Sequence, residues 1–161
     1  MRAPERTVRP SILDRLIDER PRESTDVEVG RAESEARFRR SVLRDLEWLL
    51  NTRRTTRPAS RSQTELRASV YQYGIPDVTS LSADSSEARG YLLSQVDEAI
   101  RLFEPRLTGV RVRLVQGGGG DGGRRAVRLR VEATLLMDPN PERIVFDTVL
   151  ETSSGSFVVQ G

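Results

Sequence analysis

Cysteine, histidine and lysine are all missing from these 161 residues; the 26 basic residues, set against 24 acids, are arginines throughout. Without Cys there is no disulfide framework, no thiol nucleophile and no Cys-ligated zinc or iron–sulfur centre. Without His there is no histidine-oriented catalytic triad and no imidazole metal ligand. Without Lys there is no Schiff base and no phosphate-loop lysine. Any catalysis would fall to carboxylates, Tyr, Ser/Thr or Arg. Long apolar runs are missing as well, and none approaches the roughly 20 residues of a membrane span. No apolar signal core follows Met1-Arg2-Ala3-Pro4-Glu5-Arg6. The expectation is an intracellular soluble protein of one domain, with room for an extra arm.

What charge there is lies unevenly. Residues 1–67 hold 16 Arg against 12 acids, and residues 68–161 hold 10 Arg against 12 acids. The excess of +2 is too small to favour general nucleic-acid binding. Residues 1–32 read as an arm. Ser11 with Asp14 forms a capping box for a short helix whose apolar face, Ile12, Leu13, Leu16 and Ile17, needs a partner surface. A charged, aperiodic linker follows.

From 33 onward the pattern is that of an α+β body reaching residue 161. Phe38, Val42, Leu46 and Leu49, widened by Leu43 and Leu50, recur with the helical period over 33–50. Asn51 suits a left-handed cap. Ser62 with Glu65 predicts a second short helix through Tyr73, stopped by Gly74 and Pro76. Asp84 with Glu87 opens another, with Leu92, Val96, Ala99, Ile100 and Phe103 as its stripe and Pro105 as its end. After Pro105 the period becomes two. Four strands are expected: from Val110, from Val127, over Ile144–Glu151 and over Ser156–Gln160. Helices followed by a meander of strands mean helices packed on a small antiparallel sheet.

Four features stand out as candidate sites. The glycines Gly117–Gly120, Gly122 and Gly123 join two strands and precede no Lys-Ser/Thr, so they form a hairpin tip rather than a phosphate loop. Arg53, Arg54, Arg57 and Arg61 could grip phosphates, dock on an acidic protein or simply be solvated. Trp48 sits opposite the apolar stripe, either covered by the arm or a loop, or exposed as an interface anchor. Glu104, at the unfavourable end of the helix dipole, needs compensation, for which Arg106 and Arg101 are near enough. A fixed Glu104–Arg106 pair around Pro105 is either an internal corner clamp or a charge pair presented to a partner; the physics alone favours the clamp.

Taken in order, Ser11–Leu16, Leu43–Arg54, Ser69–Asp77 and Phe103–Leu107 resemble the TssE family of type VI secretion baseplates, which is similar to the wedge proteins of contractile-phage baseplates long labelled "lysozyme-like". The resemblance covers about residues 10–160. It implies a non-enzymatic subunit without cofactor or metal, resembling part of the sheath subunit and set in a baseplate at the cytoplasmic face of the inner membrane. Its implied partners are other wedge proteins and sheath subunits, with no small-molecule substrate, nucleic acid or membrane insertion. Glu104, Pro105 and Arg106 would contact the bundle of neighbouring wedge proteins, and the sheet would start sheath polymerisation. Arg53, Arg54 and Trp48 are further candidates for protein contact. So is the last strand, Phe157-Val158-Val159, which as a sheet edge could accept an extended arm. Two rival readings are a peptidoglycan hydrolase with Glu104 as acid and Asp45 or Glu47 opposite, and a nucleic-acid module built on the Arg loop. An adjacent Arg favours the ionised form of Glu104, the reverse of what a general acid needs.

Overall fold

Ser11 opens the first helix as its spacing predicts. In the computed structural model, which describes residues 8, 10–17, 30–55, 57–79, 85–115, 126–138 and 140–161, the Ser11 hydroxyl accepts from the Asp14 amide at 3.1 Å and the Asp14 carboxylate accepts from the Ser11 amide at 3.2 Å. This reciprocal box starts α1, Ile12–Leu16. Helix α2 runs over Arg31–Asn51, three residues longer in all than its stripe predicts. Two compact units divide inside it, Met1–Val42 and Leu43–Gly161.

In the first unit, the Ser34 hydroxyl donates to the Val8 carbonyl at 3.1 Å. Val8, Phe38 and Val42 are buried, whereas Ile12, Leu13, Leu16 and Ile17 are all exposed. The apolar face of α1 is therefore exposed.

The second unit holds α3 (Thr64–Arg67), a 3-10 turn (Val70–Gln72), α4 (Ser86–Phe103) and the strands β1 (Leu107–Leu114), β2 (Ala126–Leu135), β3 (Glu142–Glu151) and β4 (Ser156–Gln160). Two of the expected caps differ. Ser62 and Glu65 make no capping box: α3 starts at Thr64, and the side chain of its N-cap, Gln63, instead accepts from the Ser60 amide at 2.9 Å. The helix expected to reach Tyr73 is interrupted because the Ser69 hydroxyl donates to Leu66 O and accepts from Tyr71 N, ending one turn and starting the next. Ser85, not the expected box, caps α4 by accepting from Ala88 N; Asp84 lies outside the described residues. Gly74 stops the helical segment, as the sequence predicts. Its φ of +97° suits glycine, and a Cβ there would sit 2.2 Å from Thr52 O.

The sheet is an antiparallel meander in the order β1-β2-β3-β4, with α4 against β1. A bulge between Thr108 and Arg111 interrupts the β1–β2 register. The third turn closes through Gly155 at φ +70°, its amide donating to Glu151 O at 2.8 Å. The glycine tip at 116–125 lies outside the described residues.

Alternation sorts the sheet's two faces. Val127, Leu129, Val131, Ala133 and Leu135 are buried together with Ile144, Phe146, Thr148 and Leu150. The opposite face carries charge in cross-strand pairs. Arg130 meets Asp147 through two bonds of 2.8 and 2.9 Å, and Glu132 lies between Arg143 at 3.0 Å and Arg113 at 3.7 Å. Among the described residues no helix is long and apolar enough to cross a membrane.

Candidate protein-interaction site

Pro105 cannot follow a residue in helical geometry without a clash, so Glu104 leaves the helix at φ −119° and ψ 80°. Its amide still donates to Ile100 O at 2.9 Å, and its carbonyl accepts from Leu107 N at 3.1 Å. The chain turns a tight corner, and the Glu104 side chain folds inward, only 3% exposed. Arg106 grips it with a fork. Oε1 accepts from the Arg106 amide at 3.1 Å and from Nε at 2.6 Å, while Oε2 accepts from Nη2 at 2.5 Å. Both carboxylate oxygens are thus bonded to Arg106, the bidentate arrangement that arginine makes and lysine cannot.

The network then leaves the corner. Arg106 Nη2 also donates to Asp45 Oδ2 at 2.7 Å. Asp45 Oδ1 accepts from Arg44 Nε at 3.0 Å and Nη2 at 2.8 Å. The Arg44 guanidinium lies 4.9 Å from the centroid of the Trp48 ring, a cation–π contact. Glu104, Arg106, Asp45, Arg44 and Trp48 form one chain of alternating charge from a buried carboxylate to an indole 49% exposed. Pro105 is exposed beside it, and the amide of Leu136, another exposed apolar residue, donates to Arg106 O at 2.8 Å. Burial alone would push the Arg106 guanidinium down, but its bonds to Glu104 and Asp45 outweigh that and hold it above the ordinary arginine range. Burial, then the charges of Asp45 and Glu104, raise the Tyr73 phenol, whose ring meets Phe103 edge-on at 5.3 Å.

The corner is thus an internal clamp at Glu104 and a surface feature at Pro105, Arg106 and Trp48. Glycosidase chemistry sets a proton-donating acid against a second, free carboxylate. Here a single guanidinium is bonded to both Glu104 and Asp45. Among the described residues no cluster of three or more acidic side chains is placed to hold a metal.

Arg53 and Arg54 do not form one cradle. The segment is extended and pairs with Ile75, with Arg54 N donating to Ile75 O at 2.8 Å and Ile75 N to Thr52 O at 3.0 Å. Consecutive side chains therefore diverge. Arg53 reaches Asp77 at 3.4 Å. Arg54 Nη2 donates to Gln95 Oε1 on α4 at 2.7 Å, with its Nε buried and unbonded. Arg67 pairs with Glu98, while Arg57 and Arg61 are exposed. The loop's charge is spread over several directions, unlike a groove that tracks a phosphate backbone.

At the last strand, Phe157 is buried, Val158 is exposed opposite Val149, and Val159 is half-buried. Ladder parity fixes which backbone groups face outward. Val115 N bonds Arg128 O and Leu136 N bonds Arg106 O, so even-numbered β2 residues serve β1 and odd-numbered ones serve β3. Carried through the registers, this alternation turns Phe157 and Val159 to the outer edge of β4. Asn51 meets Phe157 there. Its Oδ1 accepts from Phe157 N at 2.9 Å, and its Nδ2 donates to Phe157 O at 2.9 Å and to Glu47 O at 2.8 Å. Asn51 is therefore not a left-handed cap: no described non-glycine residue has positive φ. The sequence reading missed this role, together with those of Arg44 and Asp45. The spacing of Arg44 and Trp48, four apart on the polar side of α2, was the one available signal.

A family model described as baseplate wedge protein gp25 matches residues 36–140. The comparisons with curated proteins and with solved structures each give no match. The matched stretch contains the entire network from Trp48 to Glu104 and Arg106; β3 and β4 follow it. More than half of the chain is matched, and it belongs to the gp25 family of baseplate wedge proteins, of which TssE is the type VI homologue.

Proposed function

We propose that this chain is a wedge subunit of a type VI secretion baseplate on the cytoplasmic side of the inner membrane, joining the wedge complex to the contractile sheath without catalysing a reaction. The observation that carries this reading is the charge chain from Glu104 to Trp48. A buried carboxylate fixes Arg106, which fixes Asp45, Arg44 and finally an exposed indole, while Pro105 and Leu136 lie exposed at the Arg106 end of the chain. A preorganised aromatic anchor with polar neighbours is the composition of a protein–protein hot spot. Glu104 acts in this reading as the buried foundation, while Trp48, Pro105 and Arg106 make the contact with the neighbouring wedge bundle. Arg53 and Arg54 add charge in two diverging directions. The edge at Phe157, Val158 and Val159 is where an arm of the sheath subunit would add by backbone pairing.

The test is co-purification with the other wedge proteins of the same system. Trp48→Ala removes an exposed side chain, so the circular dichroism spectrum and midpoint of unfolding are expected to stay near wild type while capture falls at least about tenfold, as for a hot-spot residue. Wild-type capture by Trp48→Ala would refute this placement of the contact.

A further inference from the structure

The Asn51–Phe157 contact has an unusual form. A carboxamide has the same donor and acceptor pair as a peptide group, and here it bonds the N–H and the C=O of one edge residue, as the peptide groups of a neighbouring strand do. Asn51 is itself exposed, so its side chain can rotate into water without unpacking a core. Its remaining bond is to Glu47 O, a carbonyl of the last helical turn that water can satisfy. Further along the strand, a Cβ on Gly161 would lie 3.0 Å from Leu43 Cδ1. The Leu43–Asn51 segment of α2 therefore runs antiparallel to β4, with Leu43 against the buried face of the strand and Asn51 reaching round to its edge.

We propose that Asn51 is a removable cap on the β4 edge. Its carboxamide holds the place of one unit of an added strand, and an extended segment of a partner chain gains that place only as Asn51 turns away. This rests on the reading of β4 as a strand-accepting edge and adds its control. With the cap closed, exposed edges of two copies are kept from pairing with each other, a hazard that unprotected edge strands carry. An incoming strand exchanges two neutral hydrogen bonds for two others, so the cap weakens association without preventing it.

The probe is the β4 edge of a second copy of the full chain, followed by sedimentation equilibrium. Asn51→Ala is expected to self-associate at least about tenfold more tightly than wild type, in line with two net hydrogen bonds no longer being displaced. Its Phe157 amide should also exchange faster in the monomer. Adding Val159→Pro, which removes an outward-facing N–H at a position where an edge strand tolerates proline, should return association to the wild-type level. Unchanged or weaker association in a natively folded Asn51→Ala protein overturns the proposal, as does association that Val159→Pro leaves intact. If Asn51→Ala does not fold, Asn51→Asp retains the acceptor and loses the donor; tighter association than wild type supports the cap, and none overturns it. The parent reading is judged separately by capture of sheath subunits. If Val159→Pro alone leaves capture intact, strand acceptance itself fails. If Val159→Pro abolishes capture while Asn51→Ala gains nothing, only the cap fails.

Discussion

Replacing Arg106 with alanine would strand two carboxylates at once. Glu104 loses both guanidinium hydrogen bonds in one step and keeps only the one from the backbone amide of residue 106, and Asp45 loses a bond of 2.7 Å. Glu104 is the costly one because it is 3% exposed and cannot be resolvated where it stands. Breaking a buried pair by removing one partner costs roughly 3–5 kcal/mol, whereas replacing the whole pair with well-packed apolar groups is often neutral. Asp45 and Arg106 each keep about a fifth of their side-chain surface in water, which places Arg106→Ala near the lower end, about 3 kcal/mol. For a chain of this size that is a fall in Tm of about 10 °C. Glu104→Leu with Arg106→Met together should recover most of the loss, because no unpaired buried charge remains. Urea denaturation of the two single variants and the double variant gives the coupling energy directly. Additive losses, with the double variant as unstable as the singles combined, would refute the idea that the corner is held by a mutually dependent pair. Stability must be read before any partner assay, since loss of capture by Arg106→Ala is otherwise ambiguous between a broken contact and a broken corner.

Two other predictions follow from different parts of the sheet. Thr148 is fully buried with an unbonded hydroxyl, so Thr148→Val should raise stability by about 1 kcal/mol, measured by urea denaturation, and a loss of that size would mean that the hydroxyl is satisfied in solution. Asp147 is held below the usual carboxylate range, first by its hydrogen bond from Arg130; a lowered folded value means stability that is present above the unfolded carboxylate pKa and lost as pH falls through the folded one. In Arg130→Gln the Asp147 titration followed by NMR should move up toward the ordinary value, and no movement would show that the pairing is not maintained in solution.

The sequence made the periodic elements legible because their cause is local. The i, i+4 stripe from Phe38 to Leu49 and the alternation from Val127 to Leu135 each follow from burying one face. The Ser11–Asp14 box was legible for the same reason. The Ser62–Glu65 box was not, because the same spacing serves only where the backbone starts a helix, and Gln63 had bonded back to Ser60. At the site, the Glu104–Arg106 pair spans two residues and could be anticipated. Its extension to Asp45 crosses 61 residues, and the Asn51–Phe157 clamp crosses 106. Polar contacts at such separations leave no periodic trace, because they depend on which helix face the tertiary fold brings to which strand. Arg44, Asp45 and Asn51 therefore looked like ordinary polar positions of an amphipathic helix.

The paired charges on the open face of the sheet bear on how an assembly partner would approach it. Arg111, Arg113, Arg128, Arg130 and Arg143 share this face with Glu132, Asp147 and Glu151, five cations against three anions. The paired charges offset one another locally, and the arginine excess leaves a positive field that reaches about one Debye length, roughly 8 Å at physiological ionic strength. An acidic surface arriving there is drawn in over the last ångströms of its approach, and its rate of docking should fall as salt rises.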